Sequence, residues 1–208
     1  MFRRHLVAAA GAVLAGLAMA SASWAAPSVG QAAPDFTLTD TNGKPVRLSD
    51  FKGKHVVLEW VNPGCPYVRK HYSSANMQGT QKEATGKGVV WLAINSTETQ
   101  HHDYLAPDKL AGWMTQQKAA PTRTLMDAEG KVGQAYGART TPHMYIVNPQ
   151  GQLIYAGGID SIPSSSADDV KKAVNYVKQG ISQALAGQPL TNPTTRPYGC
   201  SIKYKSGA

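Results

Sequence analysis

The chain has 208 residues, with 21 Lys and Arg against 13 Asp and Glu for a formal charge of +8. The positive residues are scattered (Lys52, Lys54, Arg69, Lys70, Lys82, Lys87, Lys171, Lys172, Lys203, Lys205) and do not alternate with aromatics, so the charge reads as a solvated basic surface and argues against nucleic-acid binding. Two cysteines, Cys65 and Cys200, exclude a disulfide-dense scaffold and leave a single possible pair, either a structural staple or a redox couple.

The N-terminus reads as a secretory signal. Arg3 and Arg4 form a basic start, Leu6 to Ala20 is a short apolar run, and Ser23 and Ala25 are small residues that fit a cut after Ala25. Cleavage after Ala22 or Ala26 fits nearly as well. No later apolar stretch approaches the roughly 18 residues of a membrane span. The expected organisation is a signal over 1–25, one α/β domain over 26–187 and a tail over 188–208 that carries Cys200, in a periplasmic or secreted protein.

In chain order, Asp35 to Leu48 predicts a hairpin around Asn42-Gly43. His55 to Val61 is an almost unbroken apolar run, interrupted by Glu59, and predicts a central strand covered on both faces. Asn62-Pro63-Gly64 ends it, and a helix is expected from Cys65 toward Lys82. Val89 to Asn95 predicts a second buried strand, Asp108 to Lys118 a helix, Thr122 to Met126 a short strand and Glu129 to Tyr136 a short helix. His143 to Val147 and Leu153 to Ala156 read as strands around a turn at 148–151. Ala167 to Ala186 reads as one long helix, with Val170, Val174, Val177, Ile181 and Leu185 at helical spacing. From Gly187 onward there is no periodicity. Strands alternating with helices in this way predict an α/β sandwich with a mixed sheet.

Cys65 stands where a buried strand gives way to a Gly-containing turn and a helix. Unpaired N–H groups and the positive end of the helix dipole meet there and favour a nucleophilic thiolate. Pro66 suits the first helical position, where no N–H is needed.

Trp60-Val-Asn-Pro-Gly-Cys65-Pro66-Tyr67-Val68-Arg69-Lys70 resembles the active-site segment of thioredoxin-fold oxidoreductases, with Cys65 at the first cysteine of C-x-x-C and Val68 at the second. Thr141-Pro142 before the strand His143–Val147 resembles their cis-proline loop. The hairpin start at 34–38 and the turn at 148–151 resemble the redoxin and peroxiredoxin branch (the alkyl hydroperoxide reductase and thiol-specific antioxidant type). The likeness covers roughly residues 29–185. Leu58 and Asn62 occupy the Pro and Thr places of the peroxiredoxin P-x-x-x-T-x-x-C motif, so the resemblance favours disulfide exchange over peroxide reduction.

The resemblance implies a thioredoxin-like fold and thiol chemistry on Cys65. Pro66, Tyr67, Thr141 and Pro142 would shape the face that meets substrate. Glu59, six residues before Cys65, matches the buried acidic residue of the central strand, and desolvation there would raise its pKa and let it move protons. With Val68 in place of a second cysteine, Cys200 is the candidate to resolve a mixed disulfide, docked by Tyr198, Ile202 and Tyr204; the same pairing would also serve a permanent staple. Substrates would be protein or small-molecule disulfides and thiols, with a reducing thioredoxin-like partner and no organic cofactor. Other readings are a one-cysteine peroxidase, a non-catalytic binding module, and a copper site drawn from Cys65, His71, His143 and Met144.

Overall fold

The computed structural model describes residues 26–205, so the expected signal segment 1–25 lies outside the described residues. Seven strands form one sheet in the order β2-β1-β5-β4-β3-β7-β8. At its centre β3 (Val56–Trp60) runs parallel to β4 (Val90–Asn95) and antiparallel to β7 (His143–Val147). All three are buried along their whole length, which is why their sequences are near-continuous apolar runs rather than alternating ones. β5 (Arg123–Met126) continues the parallel part, and β8 (Leu153–Gly157) pairs antiparallel with β7. The hairpin of β1 (Thr37–Asp40) and β2 (Pro45–Arg47) joins the β5 edge. Its turn is held by Asp40, whose Oδ1 accepts from the N–H groups of Asn42 (2.8 Å) and Lys44 (2.9 Å).

The helices are α1 (Pro66–Ser73), α2 (Asn76–Gly86), α3 (Pro107–Gln116), α4 (Lys131–Ala135) and α5 (Tyr176–Leu185). One core layer joins Val57 of β3 and Val61 just after it to Tyr72, Met77, Leu110, Met114, Val177 and Ile181 on α1, α2, α3 and α5. The other joins Leu58 and Trp60 to the hairpin and to Val132 and Tyr136. This is the mixed-sheet α/β sandwich of the thioredoxin-like class.

Two expected helices are broken. The one from Cys65 toward Lys82 is interrupted at Ala75, whose φ of 59° is left-handed, a conformation that costs roughly 1–2 kcal/mol for an L residue. The break lets the Gln78 side chain donate to the carbonyls of Tyr72 (2.8 Å) and Gln117 (2.6 Å), which offsets that cost. The stretch 167–186 is a 3-10 turn (Ala167–Lys171) followed by α5, because Asn175 caps α5 with Oδ1 on the Lys178 N–H (2.9 Å). Of the expected apolar stripe, Val177 and Ile181 are buried, whereas Val174 and Leu185 are exposed.

The tail is more ordered than its composition suggests. Ala156 of β8 bonds the tail through both its backbone groups, its N–H donating to the Pro193 carbonyl (3.1 Å) and its carbonyl accepting the Thr195 N–H (3.2 Å). Further on, β9 (Cys200–Ser201) pairs antiparallel with β6 (Thr140–Thr141), and Ile202 donates to the Arg139 carbonyl (3.0 Å). The approach is close enough to need glycine beneath it: a Cβ on Gly157 would collide with Thr195 Oγ1.

Candidate active site

Asn62 makes the turn from β3 into α1. Its Oδ1 accepts the Gly64 N–H (2.7 Å), its carbonyl accepts the Cys65 N–H (3.0 Å), and its side-chain amide donates to Thr97 Oγ1 (3.2 Å). Cys65 follows in extended conformation (φ −79°, ψ 124°) as the residue that caps α1, and Pro66 opens the helix. The thiol therefore belongs to the positive end of a helix, where unpaired N–H groups favour negative charge.

Cys65 is only 2% exposed. Its Sγ donates to the Thr141 carbonyl (3.0 Å), and the Thr141–Pro142 peptide is cis, as the resemblance implied. The β6–β9 register places Cys200 directly opposite Thr141. Cys200 packs against the core cluster that contains Cys65, and both cysteines are free thiols. Burial pushes the Cys200 thiol up to about 12, and the neighbouring Cys65 sulfur adds to the shift. Thr141 is thus shared by both cysteines: its carbonyl accepts from Cys65 and its backbone is paired with Cys200. Thr141 Oγ1 is buried and without a hydrogen-bond partner among the described residues. Tyr67 packs edge-on against Tyr198 with ring centres 5.8 Å apart. Val68, at the place of a second local cysteine, is buried in the core.

Glu59 is fully buried on the Tyr72 side of β3 and accepts three bonds, from Tyr72 Oη (2.8 Å), Gln81 Nε2 (3.0 Å) and Trp91 Nε1 (2.8 Å). Burial raises its pKa, and the three donors only partly oppose the shift. None of these donors is Cys65.

The four residues considered for copper are not gathered. His143 pairs with Trp60 and Met144 with Glu59 along β7, so the two side chains face opposite sides of the sheet. His71 is engaged at both ring nitrogens, by Tyr198 Oη (3.2 Å) and the Asn76 amide (2.8 Å). Among the described residues, the metal-ligating side chains that do cluster are His101, His102 and Asp103, with ligand atoms within 4.8 Å of one another.

One group of site residues escaped the sequence reading. Lys70 on α1 and Asp160 beyond β8 form a buried ion pair (3.3 Å). Lys70 also donates to the Ile162 carbonyl (3.0 Å) and Tyr198 Oη (3.3 Å), and Tyr198 donates to Asp160 Oδ1. The sequence marked Tyr198 as a docking residue but gave no sign of its partners, which are about 90 residues apart from each other along the chain.

A helix-capping thiol beside a cis-proline, at the end of the central strand of a mixed sheet, is the arrangement of a thioredoxin-like protein. The chain belongs to the AhpC/TSA family, whose model matches residues 29–156. It is 26% identical over 127 residues to the thiol-disulfide oxidoreductase ResA of Bacillus subtilis, covering 61% of this chain and 65% of that protein, just under two thirds of its length. A solved, uncharacterized conserved protein of Geobacillus kaustophilus superposes with a TM-score of 0.73 at 26% identity, over 87% of this chain and 94% of that one. A hypothetical protein of Sinorhizobium meliloti gives 0.73 at 22% identity over 88% and 98%, a likeness of fold. The thioredoxin domain of a Bacteroides vulgatus thiol-disulfide oxidoreductase has the same fold over 70% of this chain and 96% of its own (TM-score 0.51, 23% identity).

Proposed function

We propose that the protein is a thiol–disulfide oxidoreductase working outside the cytoplasm, with Cys65 as the attacking thiol and Cys200 as the resolving thiol. One observation carries this reading: the strand of the tail pairs Cys200 with Thr141, the residue whose carbonyl accepts the Cys65 thiol, beside the cis-Pro142 loop. The basic start and apolar run within residues 1–25 support export.

The Cys65 thiolate attacks one sulfur of a substrate disulfide. A Cys65–substrate disulfide forms, and the other substrate sulfur leaves as a thiolate. Cys200, deprotonated, then attacks Cys65 Sγ; the Cys65–Cys200 bond forms and the second substrate thiolate departs. The substrate gains two electrons and the protein loses two, which a reducing dithiol partner restores. Run backwards, the same steps oxidise a substrate dithiol. Burial is the main cause of the raised Cys200 value; once Cys65 is in a mixed disulfide, its charge no longer adds to that burial in opposing ionisation of Cys200. Pro66, Tyr67, Thr141 and Pro142 frame the substrate side of the sulfur, and Glu59 accepts or returns protons from beneath α1.

A glutathione titration of the protein, with free thiols counted by mass after alkylation, tests this. Reversible closure of Cys65–Cys200 near about −120 to −230 mV is expected for a working couple. A bond that resists reduction below about −300 mV is a staple and overturns the reading. Cys65→Ser should abolish exchange, and Cys200→Ser should trap mixed disulfides.

A further inference from the structure

The tail that brings Cys200 to Cys65 also lies against the thiol that has to meet a substrate. Cys65 is 2% exposed, and Cys200 and Tyr198 of the tail pack against the core cluster that contains it. A disulfide larger than a single thiol therefore reaches Cys65 only when the 198–202 segment lifts, whereas resolution needs the same segment down. What holds it sets the balance between the two steps.

Besides the pairing of β9 with β6, three further anchors hold the tail. Thr195 lies on β8, with Oγ1 accepting the Gly158 N–H (3.0 Å) and bonded to Tyr155 Oη (2.7 Å). Beyond Cys200, the Lys203 carbonyl accepts the Glu98 N–H (2.9 Å) and Tyr204 Oη donates to the Ala138 carbonyl (2.9 Å). Between them, two residues before Cys200, is Tyr198. Its hydroxyl donates to Asp160 and is bonded by Lys70 Nζ (3.3 Å) and His71 Nε2 (3.2 Å), while its ring lies 5.4 Å from Lys70 Nζ. The side chains of Lys70 and Asp160 are 0% and 2% exposed. Burying such a pair gives little net stability, because desolvation cancels most of the attraction, but it specifies sharply which group completes the network. Here that group is one hydroxyl on the tail.

We infer that Lys70 and Asp160, acting through the Tyr198 hydroxyl, are positioning residues that latch the Cys200 strand over Cys65 and partition the thiol between substrate attack and resolution. This rests on the exchange reaction proposed above. The latch works against the first step and for the second, so loosening it moves the two rates in opposite directions. Damage to the fold would depress both.

The test is stopped-flow reaction of the reduced protein with an aromatic disulfide, dithiobis(nitrobenzoate). Attack by Cys65 forms the Cys65–aryl disulfide and releases one coloured thiolate. Attack by Cys200 on Cys65 Sγ releases the second and closes Cys65–Cys200. Tyr198→Phe keeps the ring and removes only the hydroxyl. The first release should quicken and the second slow, each by about threefold to tenfold, the range of the net contribution of a typical intramolecular hydrogen bond. Tyr198→Leu, which also removes the ring from Lys70 and Tyr67, should widen the split. Unchanged rates, or both rates moving the same way, overturn the latch. Release of a single equivalent by the wild type overturns the Cys65–Cys200 couple, and the latch falls with it; two equivalents with no split in the variants overturn the latch alone.

Discussion

Gly199 passes the Thr141 carbonyl so closely that a Cβ on it would collide with that oxygen, and its φ of 138° is one that side chains rarely adopt. This contact sets the depth at which β9 docks and hence where the Cys200 sulfur falls. Gly199→Ala should cost roughly 1–3 kcal/mol of local strain if β9 stays paired. The expected outcome is that β9 lifts instead. Alkylation of Cys200 should become at least threefold faster and closure of Cys65–Cys200 correspondingly rarer, while the circular dichroism of the sheet is kept. Unchanged alkylation would show that the tail is not held at this point.

Val68 occupies the place from which a second cysteine would reach Cys65 within the first turn of α1, and it is fully buried. Val68→Cys is close to volume-conserving and should cost only about 1 kcal/mol. Combined with Cys200→Ser, it should restore release of the second thiolate that Cys200→Ser alone loses. The bond formed would then join Cys65 to the introduced thiol, which peptide mass identifies. No restoration would mean that resolution depends on the direction from which the tail delivers its sulfur.

The carboxyl of Glu59 is raised by burial above its ordinary value of 4.5. In the window from 4.5 up to the raised value the folded protein holds a proton that the unfolded chain has lost, so this group's contribution to stability falls as pH rises, by about 1.4 kcal/mol per unit. Urea unfolding between pH 4 and 8 should show that decline in the wild type and not in Glu59→Gln. Parallel curves for the two proteins would place the charge elsewhere. If Glu59 serves the thiol, the variant should also alter the pH profile of the first release from the aromatic disulfide.

Burial lowers the His71 ring to about 4; Asp160 pulls it up, and Lys70 adds to the lowering. The sign is opposite to that of Glu59. Above about 6.5 the ring is neutral in both states and its contribution is complete; as pH falls from 6.5 to 4 the unfolded chain takes up a proton first, and roughly 3 kcal/mol is lost. His143, lowered to about 3 by burial, loses stability over the same range. His71→Gln should therefore remove about half of the acid-side loss, measured by denaturant unfolding at pH 4.5 and 7.

The sheet was legible because β3, β4 and β7 are apolar runs of strand length between turn residues, and Cys65 was legible because Pro66 and Gly64 mark a strand-to-helix turn. The helix break at Ala75 was hidden, since alanine carries no left-handed signal and the compensating bonds come from Gln78 to distant carbonyls. The division of 167–186 follows from Asn175, a capping residue whose signal is masked by the apolar spacing around it. The tail's polar, Pro-rich composition hid β9, whose pairing strand is only Thr140–Thr141. Lys70 and Asp160 were beyond reach for a different reason: a buried ion pair is read from a charged residue only when its partner and its burial are both known.

Cys200, the resolving sulfur of the proposed exchange, follows every strand of the main sheet in chain order. On that proposal, synthesis completes the scaffold before it completes the chemistry. Until Gly199 and Cys200 are added, Cys65 would be a lone thiol in an otherwise finished domain, able to couple with a passing disulfide and unable to let it go. Delivery of that segment would turn a trap into a turnover site, and a nick that removed it would turn the site back into a trap.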